Sequence, residues 1–364
     1  MFAISIYKLI VTVFVFGVLI IVHEFGHFIA AKKVGVKVEK FSLGFGPRLL
    51  KKKRNDTEYS IGLIPLGGYV KLAGDDLTEY KGNSYEYFAK PPGRRFQIIF
   101  LGPLTNYIFG FFIFWLIFFI GYPTLTTKVG GLKDGFGAKE SGIQIGDKII
   151  AVDGKKVDLW EDLQTIVQSK RGGTIVRLSI LRNDKELMSD VKIKEEENSD
   201  LLGQKRKVGL IGIMPFDETI KIRHGFVKSF LLSINKTWDL TTLTYKAIWR
   251  MITGRLSFFE STSGPIGISY ITFKVVGMGL IATLHLIAVL SVSLAIFNFL
   301  PFPILDGGHI LFLGLEKIRG RVLSLKTERI ITHVGLTFII TLVIIVSYND
   351  ILRFFGDKIS KFIK

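Results

Sequence analysis

The sequence predicts a polytopic α-helical membrane protein: four transmembrane helices, a β-hairpin after the first, and a small β-rich domain inserted between the second and third. Three observations predict it. Four apolar runs are long enough to cross a bilayer, which takes about 20 residues. Basic residues crowd two of the connections and are balanced by acids in a third. That third connection reads as short strands and tight turns. Composition agrees, with 48% hydrophobic residues and a mean hydropathy of +0.39. The chain contains no Cys, which excludes disulfides, thiolate metal sites and a Cys nucleophile.

The first run extends from Leu9 to Ala31 and is interrupted only by HEFGH at 23–27. The second, Phe96 to Tyr122, and the third, Val275 to Leu305, carry no charge. The fourth is Ile330 to Tyr348. A cleaved signal peptide is a poor fit for the first run, because the small-residue pair Ala30–Ala31 lies beyond HEFGH. The expected divisions are 1–31, 96–122, 275–313 and 330–348 for the spans. They leave a cytoplasmic-side loop with a hairpin at 32–95, a β domain at 124–218 and an interfacial helix with a linker at 219–274. A short cytoplasmic loop at 314–329 and a tail at 349–364 complete the chain.

Net charge is +17, and its distribution decides its meaning. Ala30 to Gln97 holds 14 Lys or Arg against 7 Asp or Glu. Gly314 to Ile330 holds 5 against 2, and Thr124 to Ile220 holds 16 against 16. The positive-inside rule puts the first two segments in the cytoplasm and the neutral one outside. The basic excess then reads as topology and contact with anionic headgroups. No basic stripe interleaved with aromatics points to nucleic acid.

Within the third connection, GIQIGDKIIAVDGKKV gives turn, strand and turn, LWEDLQTIVQSK a short amphipathic helix, and TIVRLSILRND and KELMSDVKIK two strands. This order, with G-D-x-I-x-x-V-D-G at Gly146 to Gly154, resembles a PDZ domain, whose groove takes an extended peptide or C-terminus as an added strand. Thr219 to Ile252 is too polar to span and fits an interfacial helix.

The chemistry centres on HEFGH. Residues i and i+4 share one helix face, so His23 and His27 can aim two imidazoles at one ion, with Glu24 adjacent as a general base. Ionisable residues inside a span are costly and mark function. A third ligand is needed. His224 is expected outside, and His285 and His333 are lone histidines early in the third and fourth spans. Asp306, in NFLPFPILDGGH, is the better candidate, because the topology brings it to the depth of the histidines. Pro301 and Pro303 break the helix there.

HEFGH and LDGG (305–308) resemble the two motifs of the site-2 protease family of intramembrane zinc metalloproteases, in its bacterial regulator-of-sigma-E-protease branch. FSLGFGPRL at Phe41, IGLIPLGGYVKLAGD at Ile61, GPLTN at Gly102 and GPIGI at Gly264 extend the resemblance over nearly the whole chain. It implies Zn2+ held by His23, His27 and Asp306, with Glu24 as the catalytic base. It implies substrate contact at Asn298, a re-entrant hairpin handling substrate through Gly44, Phe45 and Gly46, and an extracytoplasmic PDZ-like domain. The family cleaves transmembrane segments of single-span proteins, such as anti-sigma factors and remnant signal peptides, in the bacterial plasma membrane. The best-known members of the branch carry two PDZ domains in tandem, the spacing here allows one, and single-PDZ relatives exist in the family. A silent peptide-binding adaptor and an ion transporter are the rival readings. The intact metal set opposes the first, and the lack of an inverted repeat opposes the second.

Overall fold

The computed structural model describes residues 2–199 and 205–363. It divides into two compact units, Met1–Ile117, Phe230–Ile248 and Ser257–Lys364 in one, Phe118–Ser229 and Trp249–Leu256 in the other. The chain opens with α1 (Phe2–Val34), β1 (Val38–Arg54), β2 (Thr57–Leu72) and α2 (Pro92–Ile120). The middle contributes β3 (Tyr122–Leu125), β4 (Val129–Leu132), α3 (Gly137–Glu140), β5 (Lys148–Val152), β6 (Lys155–Lys156) and α4 (Trp160–Gln168). It continues with β7 (Ile175–Arg182), β8 (Lys185–Lys192), β9 (Lys194–Ser199), β10 (Lys205–Leu210), β11 (Ile213–Pro215) and β12 (Thr219–Ile222). Then follow α5 (Phe226–Ile252), α6 (Phe258–Ser261), α7 (Pro265–Val276), α8 (Leu280–Asn298), α9 (Asp306–Arg319) and α10 (Leu325–Ile363).

Among the described residues, four helices are long and apolar enough to cross a membrane: Ile6–Val34, Pro92–Ile120, Leu280–Asn298 and Lys326–Phe355. The third begins later than the run that starts at Val275, because Gly277 and Gly279 separate α7 from α8 and Gly279 takes φ +107°. Beyond Phe299 the Pro301 and Pro303 break intervenes before α9. Conversely, no proline follows Pro303, and α10 runs unbroken through the segment expected as a tail.

The hairpin is more folded than its sequence suggests. Lys40 to Leu43 pairs on both sides, with Glu58 to Ile61 and with Gly68 to Lys71, while Arg48 to Arg54 pairs with Thr57 to Gly62. Each long strand therefore doubles back on itself. Gly44 and Gly46, both at φ +83°, make the bend in β1, a conformation that L side chains rarely adopt. Segment 68–72 lies at one edge of this small sheet.

α7 is tied to α10 by one buried carboxylate. Asp350 accepts the backbone N–H groups of Gly264 (2.9 Å) and Gly267 (2.8 Å), two orphan donors at the start of α7. In the other unit, β6-β5-β7-β8 form a sheet with turns at Asp153–Gly154 and Asn183–Asp184, all four residues at positive φ. Its core gathers Ile149, Leu163, Val176, Leu178 and Val191 around the short helix α4. β11 pairs with β4 and β12 with β3, so the start of the 219–274 segment is strand before it becomes helix. Asp147 is buried, which alone raises its pKa. The Arg182 guanidinium (2.6 and 2.7 Å) and the Gln144 amide (2.8 Å) outweigh burial and hold the carboxyl below its usual range.

Two expectations follow from this packing. A Cβ at residue 267 would lie 2.6 Å from the Asp350 carboxylate. Gly267→Ala should therefore loosen α7 and lower the melting temperature in detergent, with a cost of about 1–3 kcal/mol. An unchanged melt would show that the carboxylate does not hold α7. Because the folded pKa of Asp147 is depressed, its stabilising contribution is complete above the unfolded value and disappears as pH falls through the folded one. Amide exchange of β5 and β7 in the intact protein should accelerate below about pH 4. Arg182→Gln should flatten that dependence.

Candidate metal centre

α1 places His23 and His27 one turn apart, their rings perpendicular with centroids 4.8 Å apart. Their Nε2 atoms stand 3.2 Å from each other. Asp306, the first residue of α9, completes the group, with Oδ2 3.1 Å from His23 Nε2 and Oδ1 3.4 Å from His27 Nε2. Among the described residues these three form the cluster whose ligand atoms all lie within 4.8 Å of one another. His27 Nδ1 is 2.9 Å from the Ile98 carbonyl oxygen, which can only accept, so the proton of a neutral His27 sits on Nδ1. Its Nε2 lone pair then faces another imidazole nitrogen and a carboxylate. Three electron-rich atoms at these distances repel unless a proton or cation lies among them. Two imidazoles and one carboxylate, with an outer carbonyl fixing one ring, suit a divalent zinc ion.

α2 makes this possible by coming unusually close. A Cβ at residue 26 would overlap the Leu101 carbonyl and the Thr105 hydroxyl, and one at residue 102 would overlap the His27 ring. Gly26 and Gly102 are thus where α1 and α2 meet. On α9, Cβ atoms at 307 or 308 would overlap the Phe299, Leu300 and Phe302 carbonyls, so LDGG folds tightly under the proline break.

The cluster opens into a cavity of about 350 Å³ whose lining includes Glu24, Tyr69, Val70, Asp75, Asn298 and Asp306. Glu24 follows His23 on α1, and the Val70 backbone amide hydrogen-bonds its carboxylate. The structure therefore brings together five of the residues singled out from sequence: His23, Glu24, His27, Asn298 and Asp306. Gly44, Phe45 and Gly46 lie at the bend of β1 and not in the lining of this cavity. Phe45 stacks on Tyr69, which does line it, with centroids 6.4 Å apart and planes 10° apart. His285 packs against Phe114, and the exposed His333 bonds the Arg329 carbonyl, so neither joins the cluster. Sequence reasoning missed Ile98, Gly102, Tyr69, Val70 and Asp75. The motifs GPLTN and IGLIPLGGYVKLAGD contain four of them, but spacing alone gives these positions no role.

This geometry coincides with a family assignment. Peptidase family M50 matches residues 11–342, and the chain belongs to that family. The zinc metalloprotease RasP of Oceanobacillus iheyensis is 29% identical, covering 94% of this chain and 98% of that one. Its alignment runs over 427 positions, longer than this chain's 364 residues, so that relative carries inserted segments. The regulator of sigma E protease of Haemophilus influenzae is 27% identical over 93% of this chain and 97% of that one. A Rickettsia conorii homologue is 34% identical over 97% and 99%. A solved PDZ domain of a Listeria monocytogenes protein is 25% identical, covering 26% of this chain and 90% of that one, with a TM-score of 0.21. With its four apolar helices, this member of M50 is a multi-pass membrane protein.

The α1–α2 contact predicts the effect of one methyl group. Gly102→Ala should displace the His27 imidazole and lower bound zinc, measured by elemental analysis after dialysis, with helical circular dichroism unchanged. A reduction of about 10–100-fold in affinity is the scale of lost ligand support. Full zinc occupancy in a folded Gly102→Ala protein would show that the ring does not depend on this fit.

Proposed function

We propose that this member of family M50 is an intramembrane zinc endopeptidase that cuts transmembrane segments of single-span membrane proteins. The observation that carries this reading is the convergence of His23, His27 and Asp306 beside Glu24, on a helix apolar enough to span a bilayer. His23 and His27, whose Nε2 atoms face one another, and the Asp306 carboxylate would hold the zinc. Zinc bound there supplies a Lewis acid that makes water nucleophilic at neutral pH and draws charge from the peptide carbonyl. Glu24 takes the proton of the attacking water on its carboxylate and returns it to the departing amide nitrogen. Asn298, in the cavity wall, holds the substrate backbone by its amide. The Ile98 carbonyl keeps the His27 proton on Nδ1 and Nε2 free.

A helical substrate hides its amides in its own hydrogen bonds and must unwind before attack. Segment 68–72 of β2 is an edge that can take the unwound stretch as an added strand. Its outer side has no strand partner among the described residues. Gly44, Phe45 and Gly46 support that edge at one remove, through the Phe45–Tyr69 stack, in a sheet that re-enters the membrane. The charge distribution supports an active site toward the cytoplasmic side of the bacterial plasma membrane, with the β-rich segment outside. There the PDZ-like unit captures an extended peptide or a C-terminus. A groove of about 250 Å³ between α4 and β11, lined by Trp160, Leu163, Val167 and Ile213, supports that role. Likeness to a regulator of sigma E protease supports a membrane-protein substrate linked to sigma-factor control, and the family resemblance makes anti-sigma factors and remnant signal peptides the proposed ones.

Glu24→Gln is the direct test. In liposomes the wild type should cleave single-span substrates, while Glu24→Gln should retain zinc and lose about 10²–10⁴-fold in rate, the usual share of a general base. Equal cleavage by both would remove Glu24 from the chemistry. Zinc binding without cleavage by either, together with peptide capture, would favour the adaptor.

A further inference from the structure

We infer that the buried Arg95–Glu316 ion pair is the positioning clamp that holds Asp306 at the histidines. This rests on the reading of His23, His27 and Asp306 as the zinc ligands. Glu316 lies on α9, 10 residues after Asp306, so the two ends are about 15 Å apart along one rigid helix. Arg95 lies in the first turn of α2, one turn before Ile98, whose carbonyl orients His27. A single short stretch of α2 therefore fixes the second ligand directly and the third through α9.

The pair is built for that task. Arg95 is 4% exposed and Glu316 14%, and the Arg95 Nη2 donates to Glu316 Oε1. Arg95 Nε donates to the Lys90 carbonyl at 3.0 Å. The guanidinium also lies over the rings of Tyr87 and Phe88, 5.7 and 5.3 Å from their centroids. It is held on every side before it meets Glu316. α9, by contrast, buries one large apolar side chain among the described residues, Leu313. Leu311 is 47% exposed and Ile318 84%. Its N-terminal end is seated by Gly307 and Gly308 under the proline break, and the Arg95 pair fixes the far end, one turn beyond the buried Leu313. A bidentate-capable, always charged Arg is the residue for such a site, and Lys is no equal replacement.

The test uses the full chain in detergent, with zinc affinity read by chelator competition and folding read by melting of the metal-free protein. Arg95→Ala and Glu316→Ala should each weaken zinc binding about 10–100-fold. kcat should fall more than KM, because the ligand set is displaced while the substrate surface stays. Arg95→Lys should recover part of the affinity. The exchange Arg95→Glu with Glu316→Arg should recover more than either single change. A lower metal-free melting temperature with unaltered zinc affinity would make the pair merely structural and overturn the inference. His27→Ala and Asp306→Ala serve as controls. If they leave zinc binding intact, the ligand reading itself fails, separately from the clamp.

Discussion

The site depends on how closely α1 and α2 can meet. Gly26 and Gly102 remove two side chains from the meeting point, and the His27 ring fills the space so opened. That placement puts His27 Nδ1 within reach of the Ile98 carbonyl and leaves Nε2 facing His23 and Asp306. In a bilayer there is no hydrophobic force between apolar helices, and small residues are what allow such an approach. The glycine inside HEFGH is therefore as structural as its histidines are chemical. Any bulk there separates the helices and takes one imidazole out of range.

The same helix organises the rest of its unit. Ser291 on α8 donates to the Asn106 carbonyl of α2 at 2.8 Å, and a Cβ at Gly110 would press on Val292. The Phe100 and Phe299 rings meet 5.2 Å apart where α8 ends. α2 thus contacts the helix carrying HEFGH, the helix leading to Asn298 and, through Arg95, the helix starting at Asp306. Polar backbone freed by Pro301 and Pro303 is expensive in lipid and survives only where it is buried in protein or wet. Here the Leu300 and Phe302 carbonyls accept from the Phe302 and Leu305 amides, and together with the Phe299 carbonyl they lie against Gly307 and Gly308, so the break is packed rather than open.

Much of this was legible before any coordinates. The helical period fixes His23 and His27 on one face, and the charge pattern leads to the expectation of Asp306, 279 residues beyond His27, beside them, where the structure has its carboxylate. The turns at Asp153–Gly154 and Asn183–Asp184 announce themselves through residues that tolerate positive φ. What stayed hidden has a common cause. Ile98 acts through its carbonyl and Val70 through its amide, and a backbone group is the same in every residue. Gly102 acts by lacking a side chain. The double pairing of residues 40–43 was equally invisible, because a strand that folds back still alternates like a single one. Side-chain chemistry is written in the sequence, whereas contributions from backbone and empty space need the fold.

The combination of a long apolar helix with a bent sheet has a physical logic on the proposed reading. Hydrolysis requires water and an accessible amide, and a transmembrane helix offers neither. A purely helical protein could carry the zinc ligands, but all its backbone donors and acceptors would be spent on itself. The doubled β1–β2 sheet brings to the cavity an edge whose outer side has no strand partner among the described residues, with the Val70 amide directed at Glu24 and the Leu72 amide at Asp75. The metal helix and the strand edge thus meet at one carboxylate. Proton transfer by Glu24 and capture of an extended substrate are then coupled by geometry. A segment that remains helical cannot pair with the edge, and without pairing it cannot present a carbonyl beside Glu24. Selection of unwound substrate follows from the backbone architecture without a dedicated specificity residue.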